Sequence, residues 1–301
     1  DNVGVQYGLQ ALLDGVITPE EFLHLNANVG AWKESRDLVE EGLPFVGDID
    51  PADLGSITME DFDPWSSRNM NLSPDGGVTP APRREGDLDA IAAAYDSGMV
   101  FKGKLEIPMI DWRHYREHEL DMHHTHQSFA TRQRLIEGKG NADNQVIWFT
   151  DARPEAAFDQ TPEAFEVIDE WMANIRANPG QSVAENKPPR AVDRCFTTAG
   201  DEIAAGDEVW DGILNDRPPG PCTGQFPIYK SSRIVAGGPI QGGIFKCQLQ
   251  TVAAAISGGV YGSWVPTAAE RARLEEIFPT GVCDWTLPDA GRPPERPWRW
   301  R

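Results

Sequence analysis

The feature that most constrains the fold lies between residues 88 and 180, where short apolar runs alternate with capped amphipathic stretches. "GDLDAIAAAYDSG" reads as a short helix ended by Gly98. "KLEIPMID" follows as a strand, with its apolar run at 105–110 bounded by polar residues. "SFATRQRLIEGKG" predicts a helix: Ser128 caps it, Phe129 and Leu135 bury, and Gly138 and Gly140 stop it. "NQVIWFTD" is a second apolar strand. "TPEAFEVIDEWMANIRANPG" predicts a long helix capped by its Thr-Pro-Glu start. Phe165, Ile168, Trp171 and Met172 line its expected inner face, and Pro179 and Gly180 end it. The order βαβα predicts an α/β fold with parallel strands and flanking helices. Functional loops of such sheets lie at the carboxyl ends of strands.

"HELDMHHTHQSF", residues 118–129, comes directly after the first of these strands. It holds four of the six histidines, and His114 brings five of them within thirteen positions. Three readings compete. In the first, one histidine is a general base whose tautomer a nearby carboxylate fixes. Asp111, Glu117 and Asp121 are the candidate acids, with Glu117 or Asp121 preferred by position. His123 is the first candidate base, ahead of His124 and His126. In the second, Asp121, His123, His124 and His126, with Asp111 and Glu117, ligate zinc, iron or copper. The spacing is not H-E-x-x-H, and no other cofactor is implied. In the third, the histidines only cap and hydrogen-bond a polar loop, whose carboxylates pair with Arg113, Arg132 and Arg134.

The flanking regions read more simply. "VQYGLQALLDG" sets Val5, Leu9 and Leu12 on one helical face with Gly15 as the stop. In "TPEEFLHLNANVG", Thr18, Pro19 and Glu21 spell a capping box, Phe22, Leu25 and Val29 form the stripe, and His24 is a surface residue. Residues 31–86 are rich in Asp, Pro, Gly and Ser, which predicts an irregular insertion or a mobile excursion. From 190 onward, "SRIVAG" and "GIFKCQLQ" read as short strands and "TAAERARLEEIFPTG" as a helix capped by Thr267 and Glu270. "WTLPDAGRPPERPWRWR" is a tail expected to lie against the surface. The expected organisation is a helical segment at 1–30, an irregular insertion at 31–87, the βαβα part at 88–189 and a Cys/Pro/Gly-rich region at 190–301.

Composition narrows the partners. The 301 residues carry a net charge of −20, which argues against nucleic acid and anionic membrane surfaces. No apolar run approaches the roughly 20 residues of a membrane span. The four cysteines, Cys195, Cys222, Cys247 and Cys283, contain no CxxC. Two disulfides, and hence a secreted or periplasmic location, are the expectation, with free buried thiols as the alternative. Three connectivities are possible; Cys195–Cys222 and Cys247–Cys283 close the smaller loops and are favoured. The opening "DNVGVQYGLQ" has no Met and no signal peptide, so a processed chain, or the later part of a longer precursor, is expected.

The order of helix, apolar strand with an acidic loop, helix, strand and a long helix ending "DEWMANIRANPG" resembles the last strands and helices of an α/β hydrolase. Within that fold it looks most like the tannase and feruloyl-esterase-like branch, where the final helix also carries a Trp and leads into a cysteine-bearing, Pro-rich tail. "DNVGVQYGLQALLDGVIT", "IPMIDWRHY", "SFATRQRL" and "FPTGVCDW" resemble segments of a poorly characterised family of secreted bacterial proteins of the same kind. The resemblance implies the C-terminal part of an α/β-hydrolase-type parallel sheet, followed by a disulfide-stapled, loop-rich region. It implies hydrolysis of a small ester, of an aromatic acid for instance, or of a polyester. Two departures stand out. No G-x-S-x-G elbow occurs, and the nearest cluster, "AISGGVYGSW" with Ser257 and Ser263, follows the acid and base positions. The loop "FTDARPEAAFDQTP", where that fold keeps its base, has no histidine. The resemblance therefore implies a serine supplied by an N-terminal chain of the same precursor and acid and base residues supplied here. The rival is a non-catalytic, hydrolase-like binding or assembly subunit.

Overall fold

In the computed structural model of the chain, which describes residues 1–39, 67–117, 124–153 and 158–295, the first apolar stripe is helical only over Leu9–Leu13 (α1). Gly8 stands at φ 76°, a left-handed conformation that prevents the helix from starting earlier. Val5, Leu9 and Leu12 are nonetheless all buried. The Thr18/Glu21 capping box opens α2 (Pro19–Asn28), whose buried residues are Phe22, Asn26 and Ala27. Val29 does not extend that stripe; it begins β1 (Val29–Trp32), which pairs antiparallel with β2 (Met70–Leu72). Part of the expected irregular insertion is therefore sheet, while 40–66 lies outside the described residues. Asp87 caps α3 (Leu88–Asp96). Arg83 ties these pieces together by donating to the carbonyls of Asn2, Val5 and Asn26. Burial lowers its pKa to about 10. These elements belong to the first of two compact units, Asp1–Met99 with Ser232–Pro239 and Gly243–Arg301.

The second unit, Val100–Ser231 with Ile240–Gly242, is built on a four-stranded sheet. Its first strand, β3 (Met109–Tyr115), starts later than the apolar run at 105–110 predicts. Pro108 has no N–H for a ladder, so pairing begins with Met109, whose N–H donates to the Asn144 carbonyl at 2.7 Å. After α4 (His126–Lys139), Gly140 at φ 92° ends the helix. Ser128 is not the cap; it lies buried inside the first turn, and Thr125 holds the N-cap position. Then follow β4 (Gln145–Asp151), buried at six of its seven residues, and α5 (Thr161–Ala177). Gln160, not Thr161, is the N-cap, and its side-chain oxygen accepts from Trp112 Nε1 at 3.1 Å and from the Thr150 hydroxyl. The inner face of α5 is Val167 and Trp171 with Ala164, Ile168 and Ile175. Phe165 and Met172 are 71% and 38% exposed, because one residue's rotation carries them off that stripe. β5 (Arg194–Phe196) runs parallel to β4, and β6 (Glu202–Ala205) runs antiparallel to β5. The order is β3-β4-β5-β6. The disulfide Cys195–Cys222 joins β5 to α6 (Pro221–Gln225).

The first unit resumes with α7 (Ser232–Val235), a helical turn where "SRIVAG" predicts a strand. Ala236 N donates to Ser232 O, and Gly237 at φ 94° turns the chain out of the helix. β7 (Gln248–Gln250) leads into α8 (Val252–Ser257), and α9 (Ala268–Ile277) carries the expected Thr267/Glu270 capping box. β8 (Val282–Asp284) pairs antiparallel with β7, and Cys247–Cys283 staples the pair. From the tail, Trp285 Nε1 donates to Ala236 O at 2.9 Å. Among the described residues, no helix is long and apolar enough to cross a membrane.

One contact holds the sheet of the second unit at its middle. Just ahead of β5, Asp193 Oδ1 accepts the Ile147 N–H of β4 at 2.8 Å. Its two oxygens also accept from Arg132 of α4 at 2.6 and 2.8 Å. Asp193→Ala strands a largely buried guanidinium and a buried strand N–H. The expected loss is about 3–5 kcal/mol, read from urea unfolding, with a smaller loss for Asp193→Asn.

Candidate functional site

The pleat of β3 sorts its side chains between two faces. Tyr115 joins the cluster containing Phe129 of α4, whereas Ile110 and Trp112 join the α5 cluster. By alternation Asp111 and Arg113 share the Tyr115 side, and His114 shares the Trp112 side. His114 Nε2 accordingly meets the Phe158 carbonyl at 3.0 Å, away from the other histidines. Asp111 lies within the strand and not after it. Its Oδ1 accepts from Arg113 Nε at 3.2 Å and Nη2 at 3.0 Å. Arg113 Nη1 continues to the His124 carbonyl at 3.2 Å.

Glu117 sits two residues past the carboxyl end of β3, with its side chain only 2% exposed. A buried carboxylate needs donors, and Thr125 supplies two. Its N–H donates to Glu117 Oε1 at 2.8 Å, and its hydroxyl donates to the same oxygen. The backbone donor belongs to the N-terminus of α4, where negative charge is favoured. The second oxygen, Oε2, lies 3.4 Å from His124 Nδ1. The His124 side chain is 42% exposed, so a buried acid faces one ring nitrogen of a solvent-accessible imidazole.

His126 stands beside this pair, with its ring 5.5 Å from that of His124. It is buried, and its Nδ1 has no hydrogen-bond partner among the described residues. Burial, first, and then the neighbouring His124 lower its pKa below 6.5, with Glu117 opposing and Arg113 reinforcing the shift. Tyr115 closes the floor: its hydroxyl donates to Pro227 O at 2.6 Å, and burial pushes its pKa up to about 12. Arg153 lies over the Tyr115 ring at 4.8 Å and grips Asp151 through two nitrogens at 2.8 and 3.1 Å.

Of the six acid and base candidates, the structure brings Glu117, His124 and His126 together and places Asp111 one step away through Arg113. Asp121 and His123 lie outside the described residues. Among the described residues, no group of three His, Cys, Asp or Glu is arranged to hold a metal. Arg132 pairs with Asp193 and Arg134 donates to Gln241 O. Ser257 donates to Ala254 O within its own helical segment. Sequence reasoning missed Thr125; its signal was a capping-type residue immediately ahead of the helix.

Residues 1–294 match the Tannase-like family of unknown function (DUF6351). The chain belongs to this family. No curated protein and no solved structure matches it. Membership agrees with the resemblance to the tannase-like branch, and it points to a hydrolase-type function.

In this tannase-like chain His126 makes stability depend on pH. Its folded pKa is below the unfolded 6.5, so the unfolded chain binds more protons in the window beneath 6.5. The contribution is complete above pH 6.5 and is lost as the pH falls below it. The urea midpoint should therefore drop between pH 7.5 and 5, and His126→Gln should flatten that part of the profile.

Proposed function

We propose that this tannase-like chain is the part of a secreted serine ester hydrolase that supplies its acid and base. In this reading the parallel sheet is the final portion of an α/β-hydrolase sheet. Glu117 fixes the Nδ1–H tautomer of His124, and His124 Nε2 is the general base. The observation that carries the reading is the buried Glu117 carboxylate, held by Thr125 and facing His124 Nδ1 at 3.4 Å, at the carboxyl end of a parallel strand. Because the 301 residues hold no G-x-S-x-G, the nucleophilic serine comes from polypeptide outside them.

The chemistry follows from that pairing. His124 Nε2 removes the serine proton as the hydroxyl oxygen attacks the ester carbonyl. The imidazolium formed is stabilised by the Glu117 carboxylate, which does not itself take the proton. The imidazolium then protonates the departing alkoxide, leaving an acyl-serine. Water, deprotonated by the same nitrogen, attacks the acyl-serine, and the carboxylic acid leaves as the proton returns to the serine. Two disulfides fit the oxidising compartment of a secreted enzyme.

The test uses the natural full-length protein, a fluorophosphonate serine probe and an aryl ester. The intact protein should take the label and turn over the ester. His124→Ala should lower kcat by about 10³–10⁴-fold, and Glu117→Gln by about 10²-fold or more, with the fold retained. Running His123→Ala and Asp121→Asn in parallel ranks the remaining loop candidates. An unlabelled protein, or full turnover in the His124 and Glu117 variants, would sink the assignment.

A further inference from the structure

We infer that the outer edge of β3 is a pairing edge for one more parallel β-strand, apolar on both faces, from polypeptide outside these 301 residues. The inference starts from hydrogen-bond parity. Met109 pairs with Gln145 and donates its N–H to Asn144 O. In a parallel ladder alternate residues bond to the same side, so Asp111, Arg113 and Tyr115 also bond towards β4. Ile110, Trp112 and His114 then turn their N–H and C=O groups to the other side. β3 stands at the end of the strand order, and those backbone groups have no partner among the described residues. The opposite edge of the sheet is finished differently, by β6, a four-residue antiparallel strand.

Strands that remain edges are commonly blunted by bulges, Pro or charged side chains. β3 has no bulge and no Pro, and its two charged residues, Asp111 and Arg113, are paired with each other. Its seven residues pair with β4 in an unbroken register, and the proline lies before it. Both faces of the sheet are already roofed at this strand. Ile110 and Trp112 pack with the α5 cluster, and Tyr115 packs with the cluster holding Phe129 of α4. A strand added at this edge extends a sheet covered on both faces, which selects an apolar and β-branched sequence. The burial pattern agrees: β4, with neighbours on both sides, is buried at six residues, whereas β3 is only half-buried at six.

A second copy of the chain is a poor occupant. A two-fold pair would join two β3 edges antiparallel and bring together molecules that each carry a net charge of −20. A parallel strand, by contrast, ends on the same side of the sheet as Glu117 and His124, about 4.8 Å from β3. A residue at its carboxyl end is then delivered beside the imidazole. This last step rests on the proposed hydrolase reading; the pairing edge does not.

Amide hydrogen exchange on the natural full-length protein tests the edge. The amides of Ile110, Trp112 and His114 should exchange as slowly as those of Asp111 and Arg113, at least about 100-fold slower than open amides. His114→Pro removes one outward N–H and leaves the bonds to β4 intact. It should release Ile110 and Trp112 while Asp111 stays protected. Open-amide rates at Ile110, Trp112 and His114, with Asp111 and Arg113 protected, overturn the inference. Protection that appears only with a concentration-dependent dimer overturns it in favour of self-pairing. Protected amides in a protein without esterase activity leave the edge standing and remove the hydrolase reading alone.

Discussion

The second unit depends on satisfying the backbone of one buried strand. β4 lies out of water along almost its whole length, so each of its N–H and C=O groups requires a partner on one side or the other. β3 provides seven register pairs on one side. On the other side β5 supplies only three, and the gap is met by the Asp193 carboxylate at Ile147 N–H. That carboxylate is acceptable in the interior because Arg132 neutralises it with two hydrogen bonds. A helix, the central strand and the start of the next strand are thus locked by one acid. Cys195–Cys222 then ties β5 to α6; a loop of this size restricts the unfolded chain by about 3.5 kcal/mol.

The candidate site grows out of the same scaffold. The carboxyl end of β3 projects Glu117 towards the start of α4, where the Thr125 backbone and side chain accept its burial. Among the described residues the acid is thereby held without an arginine or lysine, and its second oxygen faces His124. His126, the first residue of α4, is buried with no partner for Nδ1 among the described residues; burial and then the neighbouring His124 lower its pKa and set it apart from the accessible His124. His124 and His126, which look equivalent in "HHTH", take different environments: His126 is buried, whereas His124 combines exposure with a neighbouring carboxylate.

Local chemistry was legible where a few neighbouring residues decide the outcome. The two capping boxes, Thr18 with Glu21 and Thr267 with Glu270, form as their spacing requires. The apolar run of β4 and the glycine stop of α4 are equally local. Boundaries set by distant partners were not legible. β3 is displaced towards Tyr115 because its ladder depends on where Asn144 and Gln145 lie. The start of α5 is placed by Gln160, whose side chain is held by Trp112 and Thr150 and makes no capping bond to its own helix. "SRIV" has β-branched character, but a single i to i+4 bond and Gly237 make it helical.

By itself, the sequence determined the alternation of strand and helix, the acidic character and the neighbourhood in which five histidines gather, because these follow from residue type and short spacing; the tannase-like kinship rested on the resemblance of whole segments. Tertiary structure alone decided which carboxylate meets which imidazole. Glu117 and His124 are brought together by Thr125 at the start of α4, which donates to the Glu117 carboxylate, and by Arg113 reaching the His124 carbonyl from β3. Burial, which no linear pattern prints, then distinguishes a half-exposed imidazole beside an acid from a buried one that rejects its proton.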